Sequence, residues 1–512
     1  MSFHAKINRA SESTVIDKYR VFLMMSSLLW CAILVGCSDP VEENARADVG
    51  IDTAGDGGSG CAPCEDGSSC VIDSDCRSWS CEAGQCVPRG AFISVWDTTL
   101  SGASEDDQIQ LPLDSSGIYD FTVDWGDGVQ DTVTDWEQPE VTHTYDEPGV
   151  YTVRIEGQLE GWRFSDGHFS SYRDARKLVG IEQWGVLRLG DTGGAFEGAS
   201  NLEEITATDT LDLTNTTTLA GTFESCSNLT SVSSINDWDV SHITDMERMF
   251  AEATSFNEDI GDWDVSSVTN MERLFAWARA FDQNIGGWDV SSVTTMKLIF
   301  FNAIAFDQDI GGWDVSNVTN MDSAFAATEA FNQDIGSWDV SNVVHFMQMF
   351  DGSQAFNQDI GDWDLSSARD LDFLFGSTEA FNQDIGSWDV SNVVNMRGAF
   401  NNATAFNQDI GDWDVSNVTD MGFMFQNAAS FDQKIGGWDI SSVTDMESMF
   451  SGALSIENYD ALLIGWAAQD VEPDVSFHGG DSQYSEGQAS NARQTLIDPP
   501  NNWSIEDGGQ AP

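Results

Sequence analysis

Positive charge is scarce in this chain. Lys and Arg total 21 against 85 Asp and Glu, a formal net charge of −64. Such a surface repels nucleic-acid phosphates and anionic lipid headgroups, so no nucleic-acid partner is expected. It stays soluble and tolerates salt, which screens its self-repulsion. Histidine is scarce too: His4, His143, His168, His242, His345 and His478 are scattered singly. There is no GxSxG, HExxH, P-loop or dinucleotide fingerprint. Carboxylates are so abundant that a pair of them carries no glycosidase signal. No catalytic residue can be nominated, and the chain reads as a non-enzyme. Long hydrophobic runs are also missing. The N-terminal apolar stretch, Val21 to Val35, is interrupted by Ser26 and Ser27 and is too short for a spanning helix.

That stretch follows a basic start at Lys18, Tyr19 and Arg20 and ends in Leu34-Val35-Gly36-Cys37. A basic region, a short apolar core and small residues before a cut site describe a signal peptide over residues 1–37. The last four residues resemble the bacterial lipobox. The resemblance implies cleavage before Cys37 and lipidation at Cys37, hence a lipid bilayer as partner and a place on a bacterial cell envelope. Acyl chains hold a protein there by about 0.8 kcal/mol per buried CH₂.

Residues 38–60 are polar, acidic and Gly-rich, and read as a disordered tether. Residues 61–89 then hold Cys61, Cys64, Cys70, Cys76, Cys81 and Cys86. An even count in a short exported segment reads as a disulfide framework, for which six cysteines allow about 15 pairings. The Cys61–Cys64 spacing keeps zinc open as the rival. Cys226 stands alone and reads as a small core residue.

Residues 90–157 change character. Phe92–Trp96, Ile118–Val123 and Tyr151–Ile155 are short β-branched and aromatic runs of the kind strands use. Asp124-Trp125-Gly126-Asp127-Gly128 is a turn, which accounts for both aspartates more simply than a metal site with His143 would. The set WGDG, His143-Thr144-Tyr145 and Pro148–Val153 resembles the PKD domain. The resemblance implies a small immunoglobulin-like β-sandwich acting as spacer or binding module.

The dominant feature is periodicity. Trp recurs every 25 residues from Trp238 to Trp438, always followed by Asp. A Phe row runs from Phe250 to Phe450, a second from Phe256 to Phe431, and an Ile row from Ile260 to Ile435. A fixed period of this length signals a repeat solenoid. Trp313 and Val315, two apart, predict a short strand with both side chains inward. Val318, Met321 and Phe325 at i, i+3 and i+7 predict a short helical turn. Each 25-residue coil is therefore expected to be leucine-rich-repeat-like, a strand plus a helical turn, with aromatics stacked between coils. Residues 211–455 form the array, 158–210 an N-terminal cap with degenerate copies, and 456–512 a C-terminal cap containing a helix over 459–466.

Units such as Phe331–Val343 resemble the surface-protein repeat of BspA-like leucine-rich-repeat proteins. Phe346 and Leu371 depart from the Met row, and Asn284 and Lys434 from the Asp row. The resemblance implies a surface location and adhesion or binding of an extracellular protein or glycan. Side chains that vary after the Met and Phe rows are the candidate ligand face: Glu247, Arg248, Lys297, Asp322, Arg397, Phe301, Asp351 and Gln426. The Asp after each Trp is expected to accept hydrogen bonds from the next coil's backbone. A calcium ladder is the alternative reading for the acids clustered at Asp259, Asp262 and Asp264, at Asp359, Asp362 and Asp364, and at Asp409, Asp412 and Asp414. Their middle member is lost at Gly287, Gly312, Ser337, Ser387 and Gly437. No other cofactor is expected. A structural acidic envelope protein that binds calcium is the competing overall reading.

Overall fold

The structure is a computed structural model that describes residues 79–82, 85–165 and 173–512. The described residues fall within one compact unit, Ala62–Pro512. The signal peptide, Cys37, the tether and Cys61, Cys64, Cys70 and Cys76 lie outside the described residues. Strands β1 (Trp79–Glu82) and β2 (Gln85–Pro88) pair antiparallel, with Cys81 opposite Cys86.

The segment expected to close as an immunoglobulin-like sandwich instead joins a larger mixed sheet. Its strands are β3 (Phe92–Asp97), β5 (Leu113–Asp124), β6 (Gln130–Val133), β8 (Val150–Trp162), β9 (Leu178–Gln183), β10 (Leu187–Arg188), β11 (Glu204–Ile205) and β12 (Ser231–Val232). The order is β12-β11-β9-β3-β8-β5-β6, with β10 also on β8. Strand β3 is antiparallel to both β8 and β9, whereas β11 lies parallel between β9 and β12. A separate pair joins β4 (Gln108–Gln110) to β7 (Thr142–Thr144). The sheet therefore runs on beyond residue 157 into the first coils, because β3 offers its second edge to β9. One continuous apolar core extends from Phe92 to Trp503.

The array corrects the larger expectation. The leucine-rich-repeat-like solenoid, with a strand and a helical turn in each coil, does not form. No α-helix occurs within the repeats among the described residues, where the one helical turn is a 3-10 turn at Ile235–Asp237, and successive units meet at isolated parallel bridges, Asp245↔Asn270 through Asp420↔Asp445. An α-helix needs each amide to reach the carbonyl four residues back. Here alternate amides reach the following coil: Met246 to Asn270, Arg248 to Glu272, Phe250 to Leu274, Glu252 to Ala276. Those between them close turns three residues back, as Met249 does on Met246 and Ala251 on Arg248. Two residues per coil turn left-handed, for example Ser323 at φ 53° and Ala327 at φ 55°, which breaks any helix. The spacing of Met321 and Phe325 that suggests a helical face serves a chain of turns instead.

The inward alternation holds without the strand: Trp313 and Val315 are buried and Asp314 between them is exposed. Rings then stack on their counterparts. Trp288 and Trp313 lie 6.5 Å apart at 2°, Phe250 and Phe275 5.7 Å apart at 1°, and Phe256 and Phe281 6.2 Å apart at 10°. Burial of such a side chain contributes roughly 1.5–3 kcal/mol, repeated in each coil. A polar ladder reinforces the stack: the Asn332 carboxamide oxygen accepts from the Asn357 amide at 2.9 Å, and the Gln358 side chain donates back to the Asn332 carbonyl at 2.7 Å.

The far end is closed by α1 (Ile456–Trp466), α2 (Gln488–Ile497) and a parallel sheet of β13 (Met446–Phe450), β14 (Ser476–Gly479) and β15 (Ser504–Glu506). Helix α1 copies the repeat's own contacts. Its Trp466 indole donates to the Ile435 carbonyl at 3.3 Å, and Asn458 donates to the Asp432 carbonyl at 2.7 Å. No described helix is long and apolar enough to cross a membrane.

Candidate polar strip on the repeat array

The residues that follow each bridge form the candidate face. The in-register bridges carry Glu247, Glu272, Lys297, Asp322, Met347, Asp372, Arg397, Gly422 and Glu447 along one row of the array. Glu247, Arg248, Lys297, Asp322, Arg397 and Gln426 are all partly exposed. Phe301 and Asp351 are not outward: they are 2% and 9% exposed. Phe301 packs edge-on against Trp277 at 5.6 Å. Those two positions leave the proposed face, because the residue just after the Phe is buried in every coil from Ala251 to Asn401, and only Gln426 and Ser451 at the far end are not.

Charges on the strip are placed by neighbouring coils. Arg248 Nε is 3.1 Å from Glu247 and 3.8 Å from Glu224. Glu224 is buried, and burial pushes its carboxyl up to about 7; Arg248 opposes this, while Glu197 and Glu252 add to it. Further along, Arg397 lies 3.7 Å from both Asp420 and Asp445 and 4.4 Å over the Phe423 ring. Asp372 is likewise pushed up to about 7, by burial first and then by Asp370, against Arg397. Burial also raises Asp322, Asp370 and Asp420. Asp322 still accepts from the Met347 amide at 3.0 Å. Low dielectric makes each of these charges count for more than it would in bulk water. The sequence carries a signal for Glu197 and Glu224: both directly follow a Phe of the degenerate copies, which puts two acids on adjacent rungs. Asp372 stands in the varying row, but nothing local announces its burial.

The acidic triples are placed differently. Asp259, Asp262 and Asp264 are exposed, and each serves a separate turn or neighbour: Asp259 accepts from Gly261, Asp262 meets Asn236, and Asp264 accepts from Ser266. Asp359 and Asp409 accept from Gly361 and Gly411, and Asp364 and Asp414 from Ser366 and Ser416; Asp362 and Asp412 are exposed. Among the described residues, no three His, Cys, Asp or Glu side chains are grouped to hold a metal ion. The Asp after each Trp also differs from expectation. Asp339 caps its own coil, accepting from the Ser341 amide at 3.1 Å and hydroxyl at 2.6 Å, rather than the next one. In the β region Asp127 accepts from the Val129 amide and contacts His143 Nε2 at 2.8 Å, with the His143 ring stacked on Trp125. That is turn and packing chemistry, consistent with the turn reading.

Among curated proteins, none matches the chain. Three overlapping stretches, residues 191–303, 276–379 and 360–466, match a family described as "Mycoplasma protein of unknown function, DUF285". Together they span residues 191–466, more than half of the 512 residues and the whole of the array. With its stacked 25-residue units, the chain belongs to the repeat-containing DUF285 family.

Proposed function

We propose that this chain is a surface-displayed binding protein of the BspA-like kind, anchored to the bacterial envelope through acylated Cys37, with a PKD-like segment near its base. It binds an extracellular protein or glycan without turnover. The observation that supports this reading is the strip itself. A rigid ladder, identical from coil to coil, holds one row in which the side chain changes from Glu247 to Lys297, Asp322 and Arg397. A regular scaffold with a varying exposed row suits recognition, since preorganised groups lose little entropy on binding.

The test is binding of the chain from Ser38 onward to arrays of glycans, matrix proteins and cell-wall polymers. Saturable binding that disappears when Glu247→Lys, Lys297→Glu, Asp322→Lys and Arg397→Glu are combined supports the strip. Binding that survives the fourfold change overturns the strip as the binding face, and no binding by a folded protein favours a passive acidic layer. Cys37→Ala should release the protein from membranes, and retention would refute the anchor.

A further inference from the structure

Away from the array, a cavity of about 520 Å³ opens beside β4 and β7. The buried Leu111, Leu113 and Val141 line it, together with Trp136 and Pro139. Gln110, Thr142, Glu137 and Arg173 supply the polar lining. Trp136 is the one tryptophan classed as exposed among the described side chains, at 38%. Among the other described tryptophan side chains only Trp277 keeps partial exposure and the rest are buried, so an indole left in water beside a cavity calls for a partner.

The loop that presents it is braced in advance. The Gln138 side-chain oxygen accepts from the Thr134 and Asp135 amides at 2.8 and 3.0 Å, and its nitrogen donates to the Thr132 carbonyl at 2.8 Å. The Asp135 carboxylate accepts from the Glu137 amide at 2.9 Å. Arg173 is held by the Leu113 carbonyl at 2.6 Å.

We propose that this cavity binds a neutral saccharide, with one pyranose ring stacked on Trp136. A sugar ring has an apolar face for the indole and equatorial hydroxyls for the Gln110 amide, the Thr142 hydroxyl and the Glu137 carboxylate. A wholly apolar ligand leaves those groups unmatched, at a desolvation cost. An anionic ligand meets Glu137 and the field of a chain carrying a net −64, while Arg173, the one cation in the lining, is already engaged by the Leu113 carbonyl. The volume lies within the usual range for small-ligand sites and accommodates a short oligosaccharide. This site is separate from the strip on the repeats.

Calorimetric titration of the full chain with cellotriose, chitotriose and maltotriose tests it. At least one should bind saturably, in the millimolar range or tighter. Trp136→Ala should weaken it about tenfold or more, and Gln110→Ala several-fold. Trp277→Ala, which alters a partly exposed tryptophan of the array, should leave it unchanged, as should the fourfold strip variant. Absence of binding by all three saccharides, or binding indifferent to Trp136→Ala in a protein of unchanged melting temperature, overturns the proposal.

Discussion

The indole nitrogen of Trp313 donates to the carbonyl of Ile285, 28 residues earlier, at 3.1 Å. The same bond recurs from Trp263 on Ile235 to Trp438 on Ile410, and the helix residue Trp466 completes it on Ile435. Tryptophan at this position is therefore a stitch between coils as well as apolar bulk. The first of the row, Trp238, has a buried indole nitrogen with no hydrogen-bond partner among the described residues. It faces the degenerate copies, where the period has broken.

Trp313→Phe should cost roughly 0.5–1.5 kcal/mol beyond the lost ring area, because the Ile285 carbonyl loses one of its two donors and keeps the Trp288 amide at 3.1 Å. Trp238→Phe should escape that term. Urea unfolding of the two variants compares them directly, and equal costs would show that the bond contributes nothing.

Gly311 admits no side chain. A Cβ there would sit 2.3 Å from the Asp334 carbonyl oxygen of the next coil, and Gly336 and Gly361 meet the same obstacle at 2.4 and 2.5 Å. Gly311→Ala must push two coils apart and should destabilise by roughly 1–3 kcal/mol. A thermal melt matching the parent would refute this close approach.

Gly352 fails for a different reason. Its φ is +75° and its nearest neighbour would be 3.5 Å from a new Cβ, so space is available and the torsion is the obstacle. Gly352→Ala should cost about 1–2 kcal/mol and Gly352→Asn less, since Asn tolerates the left-handed region. Equal stability of all three proteins would contradict the left-handed assignment.

Acid should first strengthen this protein. Glu224 and Asp372 are held near 7 in the folded state, above the unfolded carboxyl values near 4. The native state then binds more protons between those values, so stability is fullest below about 4 and falls as pH rises through about 7. The turn aspartates pull the other way only at lower pH, because hydrogen bonds from Ser291 and Ser316 hold Asp289 and Asp314 below their ordinary range. Melting temperature should rise on going from about pH 8 to about pH 5. Asp372→Asn should flatten that rise and raise stability at about pH 8, as Asp372 Oδ1 is buried without a hydrogen bond. A melting point that drops steadily over the interval would refute the assignment.

Periodicity exposed the existence of the array, its 25-residue unit, its core rows and the helix that ends it, since ring and aliphatic spacing is written directly into the chain. Burial of Trp313, Val315, Met321 and Phe325 was legible in this way, and so was the varying row at Glu247, Lys297, Asp322 and Arg397. The local conformation was not. A spacing of i, i+3 and i+7 fits a helix and a run of turns equally. The choice lies with amides such as Met246 and Arg248, which find their acceptors in the next coil. Likewise the strand pattern after Phe92 said nothing of the partner on its second edge, and β9 supplied one from beyond the expected boundary. The burial of Phe301, Asp351, Asp372 and Glu224, and the exposure of Trp136, were settled only when distant segments packed, because accessibility belongs to neighbours that a local stretch of sequence does not name.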